Sequence, residues 1–475
     1  MENTINWPIR PRSGQLEVAE KLAELLSSGA RVIFSAPTGW GKTNAIIAAL
    51  IRSNALPALW LTRSLTLGKR VGEDAALWGL QVFTAGGREK ACLQVEKLGD
   101  AVHEFCRLFK YKCPYAKLPS KLPIAVSFEN LIEIGEKEEW CPYYAQDYVE
   151  CDILVQSYYR RMKYSKAFVF DEAHNLLKPR EKSYSLSRLV EAVSAAREYS
   201  ASDKLVRELS SLIRYVSIKD GLLNARLFIS DLEELRRLIY EALEKGDGRL
   251  YPLLEMTSAP AYIEGNRITV FKPQKFFNVR PAVFVSATLP QQANALLTCD
   301  SELRIPLSVK PQAEIVELTT KFDEFDSRMV LEYKNLMVNV SKKHRRVIVF
   351  APSERVANEL MNWATYCECE PPSDWNGILL LRARGRFSEG VDIPADCVVL
   401  AGAPYLPPEI SDQIAVLYRR MGVSDPVRSA IDLPMLITTL QCIGRAWRNP
   451  FNPPYVVLAD RRFQRYDLSE YLKIG

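Results

Sequence analysis

The sequence predicts an α/β protein with two parallel-sheet domains. Short apolar runs rich in valine, isoleucine and leucine alternate with helix-like patterns, which is typical of strands buried on both faces of a parallel sheet. These runs fall into two groups, one before and one after about residue 300. The chain has 475 residues, more than one hydrophobic core usually supports, so we expect two or three domains.

Composition excludes several classes of protein. Apolar residues make up 48% of the chain and charged residues 25%, as in ordinary globular proteins. No apolar run approaches the ~18 residues of a membrane span, and the first residues lack the basic start and apolar core of a secretion signal. We therefore expect no membrane segment and a cytoplasmic location. The net charge of +5 is small, so a nucleic-acid surface would be a local path of positive charge.

The first domain is organised around residues 35–43, which read Ser-Ala-Pro-Thr-Gly-Trp-Gly-Lys-Thr. A buried strand is predicted before this stretch and a helix after it, the context in which such a pattern binds nucleotide phosphates. Backbone N–H groups and the helix N-terminus would hold the phosphates, Lys42 would reach the β- and γ-phosphates, and Thr43 would hold Mg²⁺. Ala36 stands where the usual pattern has glycine. The predicted nucleotide contacts of the loop are Thr38, Gly39, Gly41, Lys42 and Thr43.

A second nucleotide signal precedes this loop. Arg12 and Gln15 open a predicted helix that ends at Leu26. A side-chain amide donates and accepts hydrogen bonds at once, as the edge of an adenine base requires. We therefore expect Arg12 and Gln15 to contact the nucleotide. Residues 58–66 then predict an apolar strand with a polar end, where α/β sheets place ligand contacts.

Acidic residues follow another predicted strand. Residues 166–174 read as a buried strand that ends in Asp171, Glu172, Ala173 and His174. Asp171 would bind Mg²⁺ through water, and Glu172 would orient the attacking water. A coupling role for His174 follows from the motif. A later strand over residues 282–286 leads into Ser286-Ala-Thr288, whose hydroxyl groups could hydrogen-bond to the acidic motif.

Residues 86–142 interrupt the α/β pattern and contain four of the ten cysteines, namely Cys92, Cys106, Cys113 and Cys141. Their clustering indicates a metal in a reducing compartment, not a disulfide scaffold. Intervals of 13, 6 and 27 residues suit iron–sulfur ligands on scattered loops, whereas zinc sites more often show closely paired cysteines. The residues alone leave three alternatives: an iron–sulfur cluster, a structural zinc ion, or four unrelated buried thiols. Cys151 is an alternative ligand.

Residues 178–261 read as a helical insertion that projects from the first domain. Amphipathic helices are predicted over residues 185–200 and 202–216. The run Ser230-Asp-Leu-Glu233 predicts the capped start of a third helix, which Gly246 and Gly248 would end. The insertion carries no recognisable catalytic constellation.

A second α/β domain is predicted from about residue 300, with parallel strands over residues 345–352, 378–382, 397–401 and 455–460. Asp392, at the end of a glycine-containing loop, could accept a hydrogen bond from a ribose hydroxyl. Gln441, Arg445 and Arg448 follow on one predicted helix, with the two arginines three residues apart and hence on one face. Guanidinium groups brought from a second domain to the γ-phosphate can stabilise its developing charge.

Taken in order, these motifs resemble those of the superfamily 2 helicases of the XPD/DinG group. The residues that carry the resemblance are Arg12-x-x-Gln15, Ala-Pro-Thr-Gly-x-Gly-Lys-Thr from Ala36, Asp-Glu-Ala-His from Asp171, Ser286-Ala-Thr288, Ser-Glu-Gly-Val-Asp ending at Asp392, and Gln-x-x-Gly-Arg-x-x-Arg from Gln441. Four cysteines between the first two ATPase motifs, the last followed by Pro142-Tyr143-Tyr144, resemble the iron–sulfur members. The helical insertion resembles that group's arch domain, although it is short, which suits a role other than excision repair.

The resemblance implies two RecA-like parallel-sheet motor domains, the first carrying an iron–sulfur insertion and a helical arch insertion. The implied boundaries are 1–85, 143–177 and 262–298 for motor domain 1, 86–142 for the iron–sulfur domain, 178–261 for the arch and 299–475 for motor domain 2. Implied cofactors are ATP, Mg²⁺ and a [4Fe–4S] cluster on Cys92, Cys106, Cys113 and Cys141. The middle cysteines have six residues between them, where the family usually has two. The arch and cluster domains would form a gate for the strand.

We therefore expect an ATP-dependent DNA helicase that moves 5′→3′ on single-stranded DNA, opens forked DNA in repair, and acts as a monomer in the cytoplasm or at the nucleoid. Its catalytic residues would be Lys42, Asp171, Glu172, His174, Gln441, Arg445 and Arg448. Two alternatives stand beside this hypothesis. One is an ATPase that remodels nucleic-acid complexes without processive unwinding, and the other is a helicase-like scaffold subunit, which would not need an intact catalytic set.

Overall fold

The structure is a computed structural model that describes residues 7–37, 39–63, 65–122, 127–274, 277–385, 393–447 and 452–475. Within these ranges no helix has both the length and the apolar character needed to cross a membrane. The described chain forms two seven-stranded parallel sheets and one four-stranded antiparallel sheet. The prediction of two parallel-sheet domains is therefore confirmed.

The strands are numbered in chain order. They are β1 Arg31–Ser35, β2 Ala58–Thr62, β3 Val82–Thr84, β4 Ile153–Ser157, β5 Ala167–Asp171, β6 Arg180–Ser185, β7 Gly221–Leu223, β8 Ala261–Glu264, β9 Arg267–Lys272, β10 Ala282–Ser286, β11 Ser301–Arg304, β12 Gln312–Ile315, β13 Arg346–Ala351, β14 Tyr366–Cys367, β15 Gly377–Arg382, β16 Cys397–Leu400, β17 Tyr455–Leu458 and β18 Lys473–Ile474.

The α-helices are numbered in the same way. They are α1 Gln15–Ser27, α2 Lys42–Arg52, α3 Leu65–Leu77, α4 Arg88–Ala91, α5 Val95–Leu98, α6 Val102–Phe109, α7 Phe128–Lys137, α8 Pro142–Ala145, α9 Leu186–Glu198, α10 Asp203–Ile218, α11 Leu232–Glu244, α12 Tyr251–Ser258, α13 Asn294–Leu297, α14 Ser327–Lys343, α15 Glu354–Leu360, α16 Pro408–Arg420 and α17 Pro426–Ala446.

Domain 1 is built on the sheet with strand order β11-β1-β10-β5-β2-β4-β3. Its central strands β1, β2 and β10 are buried along their whole length, because helices cover both faces of a parallel sheet. Strands β1, β10 and β5 are neighbours, so the loops that follow them meet at one edge of the sheet. Strand β11 pairs with β1, so domain 1 extends to residue 304, beyond the boundary expected at residue 298.

Domain 2 is built on the sheet with strand order β14-β15-β13-β16-β17-β12-β18. The four predicted strands of this domain are present as β13, β15, β16 and β17, and they occupy adjacent positions in the sheet. Helix α17 runs along this sheet with most of its residues buried. It carries Gln441 towards domain 1.

The insertion between β5 and β10 differs from the prediction because it contains a sheet. Four antiparallel strands in the order β6-β9-β8-β7 pack with α9–α12 around one apolar core. The insertion therefore extends to residue 272 and takes in β8 and β9, which were expected in domain 1. Helix α11 begins one residue later than predicted, because the side chain of Asp231, not Ser230, accepts the capping hydrogen bond from Glu234 N.

The sheet of the insertion also packs against domain 2. Phe271 of β9 lies in an apolar cluster with Ile410, Ile414 and Tyr418 of α16. At the tip of the β8–β9 hairpin, Glu264 Oε1 accepts a hydrogen bond of 2.7 Å from the backbone N–H of Glu354, the first residue of α15. The insertion is thus covalently part of domain 1 but is packed on domain 2.

The cysteine segment, residues 86–142, folds into short helices α4–α7 beside domain 1, with a small core of Leu98, Val102 and Phe105. It contacts the insertion directly. Lys112 Nζ lies 2.6 Å from Glu244 Oε1 of α11. At Gly248 the two backbones are so close that an added Cβ would come within 1.9 Å of the carbonyl oxygen of Leu98.

Candidate ATP site and cysteine cluster

The phosphate loop connects β1 to α2 as predicted. Gly39 and Gly41 both have positive φ angles, +79° and +93°, which glycine adopts at little cost. Lys42 is the first residue of α2, and its ammonium group donates to the carbonyl oxygens of Ala36 and Pro37 at 3.0 and 3.1 Å. Thr43 follows in the first turn. The loop therefore presents an ammonium group and a helix N-terminus at one place, the arrangement that binds phosphate groups.

Gln15 holds the phosphate loop from outside. Its Nε2 donates to the carbonyl oxygens of Trp40 and Gly41 at 3.0 and 3.1 Å, and its Oε1 accepts from the backbone N–H of Arg12 at 2.6 Å. The side chain is buried, whereas Arg12 is exposed. Gln15 therefore braces the phosphate loop through both groups of its side-chain amide.

Asp171 ends β5, next to the phosphate loop. Trp60 Nε1 donates to Asp171 Oδ2 at 3.2 Å, and the backbone N–H of Glu172 donates to Oδ1 at 2.9 Å. Burial and the neighbouring Glu172 carboxylate raise the pKa of Asp171 to about 6. The positive charge of Lys42 acts on both carboxylates. An ammonium group and two carboxylates therefore face one another at the edge of the sheet.

Glu172 has a positive φ angle of +51°, which turns its side chain towards β10. His174 Nδ1 lies 2.7 Å from Ser286 Oγ and 3.2 Å from Glu172 Oε2. Burial alone would raise the pKa of Glu172, but the hydrogen bond from His174 and the charge of Lys42 outweigh it and lower the pKa to about 2. Glu172 is therefore an anion at neutral pH, as an acceptor for a water proton must be.

The two domains meet at His174. Gln441 Nε2, on α17 of domain 2, lies 2.5 Å from His174 Nε2. An amide nitrogen can only donate, so His174 Nε2 accepts and its proton resides on Nδ1, facing Glu172 and Ser286. Lys178 Nζ donates to the other end of the same amide, Gln441 Oε1, at 3.0 Å.

Of the remaining predicted site residues, the structure describes Arg445 but not three others. Arg445 lies one turn beyond Gln441 on α17 and is half-buried, near Cys442. Helix α17 ends at Ala446. Three predicted site residues, Thr38, Asp392 and Arg448, lie outside the described residues.

Two residues of the site were not singled out from the sequence. Trp60 lies in the middle of an apolar strand, where an indole reads as core, and only the pairing of β2 with β5 brings it to Asp171. Lys178 follows the acidic motif by four residues, and a lysine after a helical turn reads as solvated. No local signal identifies either residue, since both partners are distant in sequence.

The cysteine segment brings Cys92, Cys106, Cys113 and Cys141 into one neighbourhood. Burial raises the pKa of Cys92 to about 11, and the other three thiols add to that rise. Burial likewise raises the pKa of Cys113 and of Cys141, with contributions from neighbouring thiols. Cys151 lies apart, packed under the domain 1 sheet. No three His, Cys, Asp or Glu side chains of the described residues are placed to hold a metal ion.

A polar shell surrounds Cys106. The hydroxyl of Tyr144 lies 3.3 Å from Cys106 Sγ and accepts from Arg88 Nη2 at 3.1 Å. The ammonium of Lys110 stands 4.0 Å from the centre of the Tyr144 ring.

Comparison with known proteins agrees with this geometry. The DEAD_2 family model matches residues 79–191, and a second model, described as a helicase C-terminal domain, matches residues 325–473. The chain is 22% identical over 550 aligned positions, 98% of each chain, to the ATP-dependent DNA helicase XPD of Sulfolobus acidocaldarius. It is 24% identical over 230 positions to the general transcription and DNA repair factor IIH helicase subunit XPD of Dictyostelium discoideum, covering 41% of this chain and 28% of that one.

Solved structures give the same result for the fold. A structure of an XPD helicase matches with a TM-score of 0.71 at 20% identity, covering 98% of this chain and all of that one. A structure of apo XPD matches with a TM-score of 0.62 at 18% identity, covering 97% of this chain and 100% of that one. The arrangement of two parallel-sheet domains is therefore shared over nearly the whole length.

Proposed function

We propose, from the premise that the chain is an XPD-like helicase, that it couples ATP hydrolysis to 5′→3′ movement along single-stranded DNA and to strand separation, as a monomer acting in DNA repair. The observation that carries the proposal is the contact between His174 and Gln441. It joins the acidic motif of domain 1 to domain 2, so a change in nucleotide state has a direct route to the relative position of the two domains.

The side chains of the site suit phosphoryl transfer to water. Lys42 would hold the β- and γ-phosphates, and Glu172, an anion at neutral pH, would orient and deprotonate the attacking water. Arg445 and Arg448 would approach the γ-phosphate from domain 2, and Thr38 and Asp392 would complete the nucleotide contacts. Gln15 would act indirectly, by bracing the loop that surrounds the β-phosphate.

Thr43 and Asp171 would hold Mg²⁺. The donor set fits this ion, because a hydroxyl and a carboxylate are oxygen ligands and Asp171 is held in place by Trp60. Held by these two residues, Mg²⁺ would supply positive charge that stabilises the negative charge of the phosphate groups. Asp171 ends β5, and Thr43 lies in the first turn of α2 after β1, so both residues are at the same edge of the sheet.

The four cysteines would hold a [4Fe–4S] cluster. Four thiols from separate short elements that influence one another's ionisation would be a suitable donor set. We assign Cys113 to this set in preference to Cys151, because Cys151 lies apart and packs under the domain 1 sheet. The cysteine segment and the insertion, which meet at Gly248, would form the passage for the DNA strand.

Strand separation on forked DNA tests the proposal. We expect ATP-dependent opening of a fork with a 5′ single-stranded arm and little opening of its 3′ counterpart. Lys42→Ala should abolish phosphate release, since it removes the ammonium group from the phosphate loop. Phosphate release stimulated by single-stranded DNA but without strand opening would instead favour a remodelling translocase. No release at all from the wild type would favour a scaffold and overturn the proposal.

The cluster has a test of its own. Protein purified without oxygen should absorb near ~400 nm and contain about four irons per chain. Cys106→Ser should lose this colour together with fork opening, whereas Cys151→Ser should keep both. Colourless protein with stoichiometric zinc would remove the cluster from the proposal and leave the ATPase.

A further inference from the structure

Lys178 stands at a junction in the chain. It follows the short 3₁₀ turn Ala173–Leu177 that contains His174, and two residues later β6 begins the insertion. Its ammonium group crosses to domain 2 and donates to Gln441 Oε1 at 3.0 Å. Lys178 is half-buried, so the contact is partly shielded from water. Lys178 therefore lies between the acidic motif and the insertion along the chain, and its side chain contacts domain 2.

The chemistry of this contact fixes a direction. A primary amide can turn over and exchange its oxygen with its nitrogen, but an ammonium group only donates and therefore selects the oxygen. Lys178 thus directs the NH₂ group of Gln441 towards His174 Nε2, 2.5 Å away. His174 Nε2 must then accept, and the ring proton is kept on Nδ1, beside Glu172 and Ser286. Five side chains share one ordered set of donors and acceptors.

We propose that Lys178 is a positioning residue for ATP hydrolysis, which orients the Gln441 amide and through it the tautomer of His174. The inference rests on the proposed ATPase function. Its consequence is that Glu172 receives a hydrogen bond from His174 only while Lys178 lies within reach of Gln441. Because Lys178 leads into β6, a shift of the insertion changes the hydrogen bonding of the residue that orients the attacking water.

Substitutions at Lys178 separate this role from a general effect of charge. Lys178→Arg remains a pure donor and should keep the kcat for ATP within about threefold of the wild type. Lys178→Met removes the donor and should lower kcat about tenfold with the KM for ATP little changed. Lys178→Glu should lower kcat roughly thirtyfold, because a carboxylate accepts from the Gln441 NH₂ group and turns it away from His174.

The tautomer of His174 supplies a readout that does not depend on turnover. The chain has three histidines, so ¹⁵N-histidine labelling gives three rings, and His174 is assigned by its loss in His174→Asn. In the wild type the His174 signals should be those of a ring protonated at Nδ1 and accepting at Nε2. Lys178→Met should mix the two tautomers, and Lys178→Glu should favour protonation at Nε2.

A matched control is Lys166→Met. Lys166 lies just before β5 in the same domain, and its ammonium group donates to the exposed carbonyl of Asn54 at 3.4 Å. This variant should change neither kcat nor the His174 signals. The inference is overturned if Lys178→Met and Lys178→Glu behave alike with an unchanged tautomer, or if both match the wild type. A wild type without ATPase activity would instead contradict the proposed function, while the tautomer measurement would still decide the inference.

Discussion

Domain 2 meets the rest of the chain at interfaces that differ in their hydrogen bonding. At the ATP site, hydrogen bonds among His174, Lys178 and Gln441 lie beside apolar packing of α17, whose Leu433 and Ile437 belong to a core cluster of domain 1. At the insertion, Phe271 packs among Ile410, Ile414 and Tyr418. Water or a nucleotide can replace the hydrogen bonds at the ATP site, whereas apolar surface at either interface is stable only while it stays buried.

The difference indicates which contacts change most readily when the molecule moves. Breaking the hydrogen bonds at the ATP site costs little, because each group finds another partner in water. Separating an apolar contact costs about 25 cal/mol for each Å² of apolar surface that becomes exposed. We therefore expect the hydrogen bonds of His174 and Gln441 to change more readily than the packing of the insertion on domain 2.

The largest effect on stability is expected from breaking the apolar contact between the insertion and domain 2. Phe271→Ala should lower the free energy of unfolding by about 3–5 kcal/mol, because a buried ring leaves a cavity between β9 and α16. Urea unfolding and hydrogen exchange of peptides from the insertion would measure it. Phe322→Ala, at a ring that is 82% exposed, is the matched control and should change stability by less than about 0.5 kcal/mol. Equal losses in both variants would contradict a specific apolar interface.

A buried charge inside the insertion sharpens the comparison. Glu255, which is 4% exposed, lies 3.4 Å from Lys182 and accepts from Tyr251 at 3.0 Å. Burial would raise the pKa of Glu255, but the charges of Lys182 and Lys272 and the hydrogen bonds from Lys272 and Tyr184 lower it to about 2. The buried Glu255 carboxylate therefore stays charged and paired at neutral pH.

This carboxylate predicts a pH dependence. A lowered pKa contributes stability that is present above the ordinary value of 4.5 and is lost as the pH falls towards 2. At pH 7, Glu255→Gln should be less stable than the wild type by about 3 kcal/mol. The difference should shrink below pH 4.5 in urea unfolding series. A difference that stays constant to pH 3 would show that packing, not charge, explains the loss.

A smaller effect, on the activation free energy of ATP hydrolysis, is expected from breaking the hydrogen bond between Gln441 and His174. Gln441→Ala should lower kcat about thirtyfold, which is roughly 2 kcal/mol, because His174 loses the partner that fixes its tautomer. Its unfolding curve should match the wild type within about 0.5 kcal/mol. Gln464→Ala, an exposed glutamine that donates to Glu317, is the control for both measurements. A loss of stability with normal turnover would show that Gln441 stabilises the fold and does not act in ATP hydrolysis.

Prediction from the sequence was most accurate where the site residues lie in one continuous motif. Lys42, Asp171, Glu172 and His174 lie in unbroken motifs next to apolar strands, and the structure places them at one edge of the sheet. The sheet of the insertion was not predicted, because β6 reads Arg-Glu-Lys-Ser-Tyr-Ser and only its tyrosine is buried. The pairing of Lys178 with Gln441 spans 263 residues and has no local signal. The hydrogen bonds from Gln15 to the phosphate loop were not predicted, because they join residues that lie 25 and 26 positions apart.

The close approach at Gly248 has a topological consequence. If the proposed passage lies between the cysteine segment and the insertion, the contact at Gly248 would close one side of it, and a closed passage admits only a strand with a free end unless it opens. A larger residue at this position would hold the insertion and the cysteine segment apart. A passage held open in this way would load onto circular single-stranded DNA as readily as onto linear DNA, and would release both as easily. Gly248 would therefore decide whether loading requires a free end of the DNA strand.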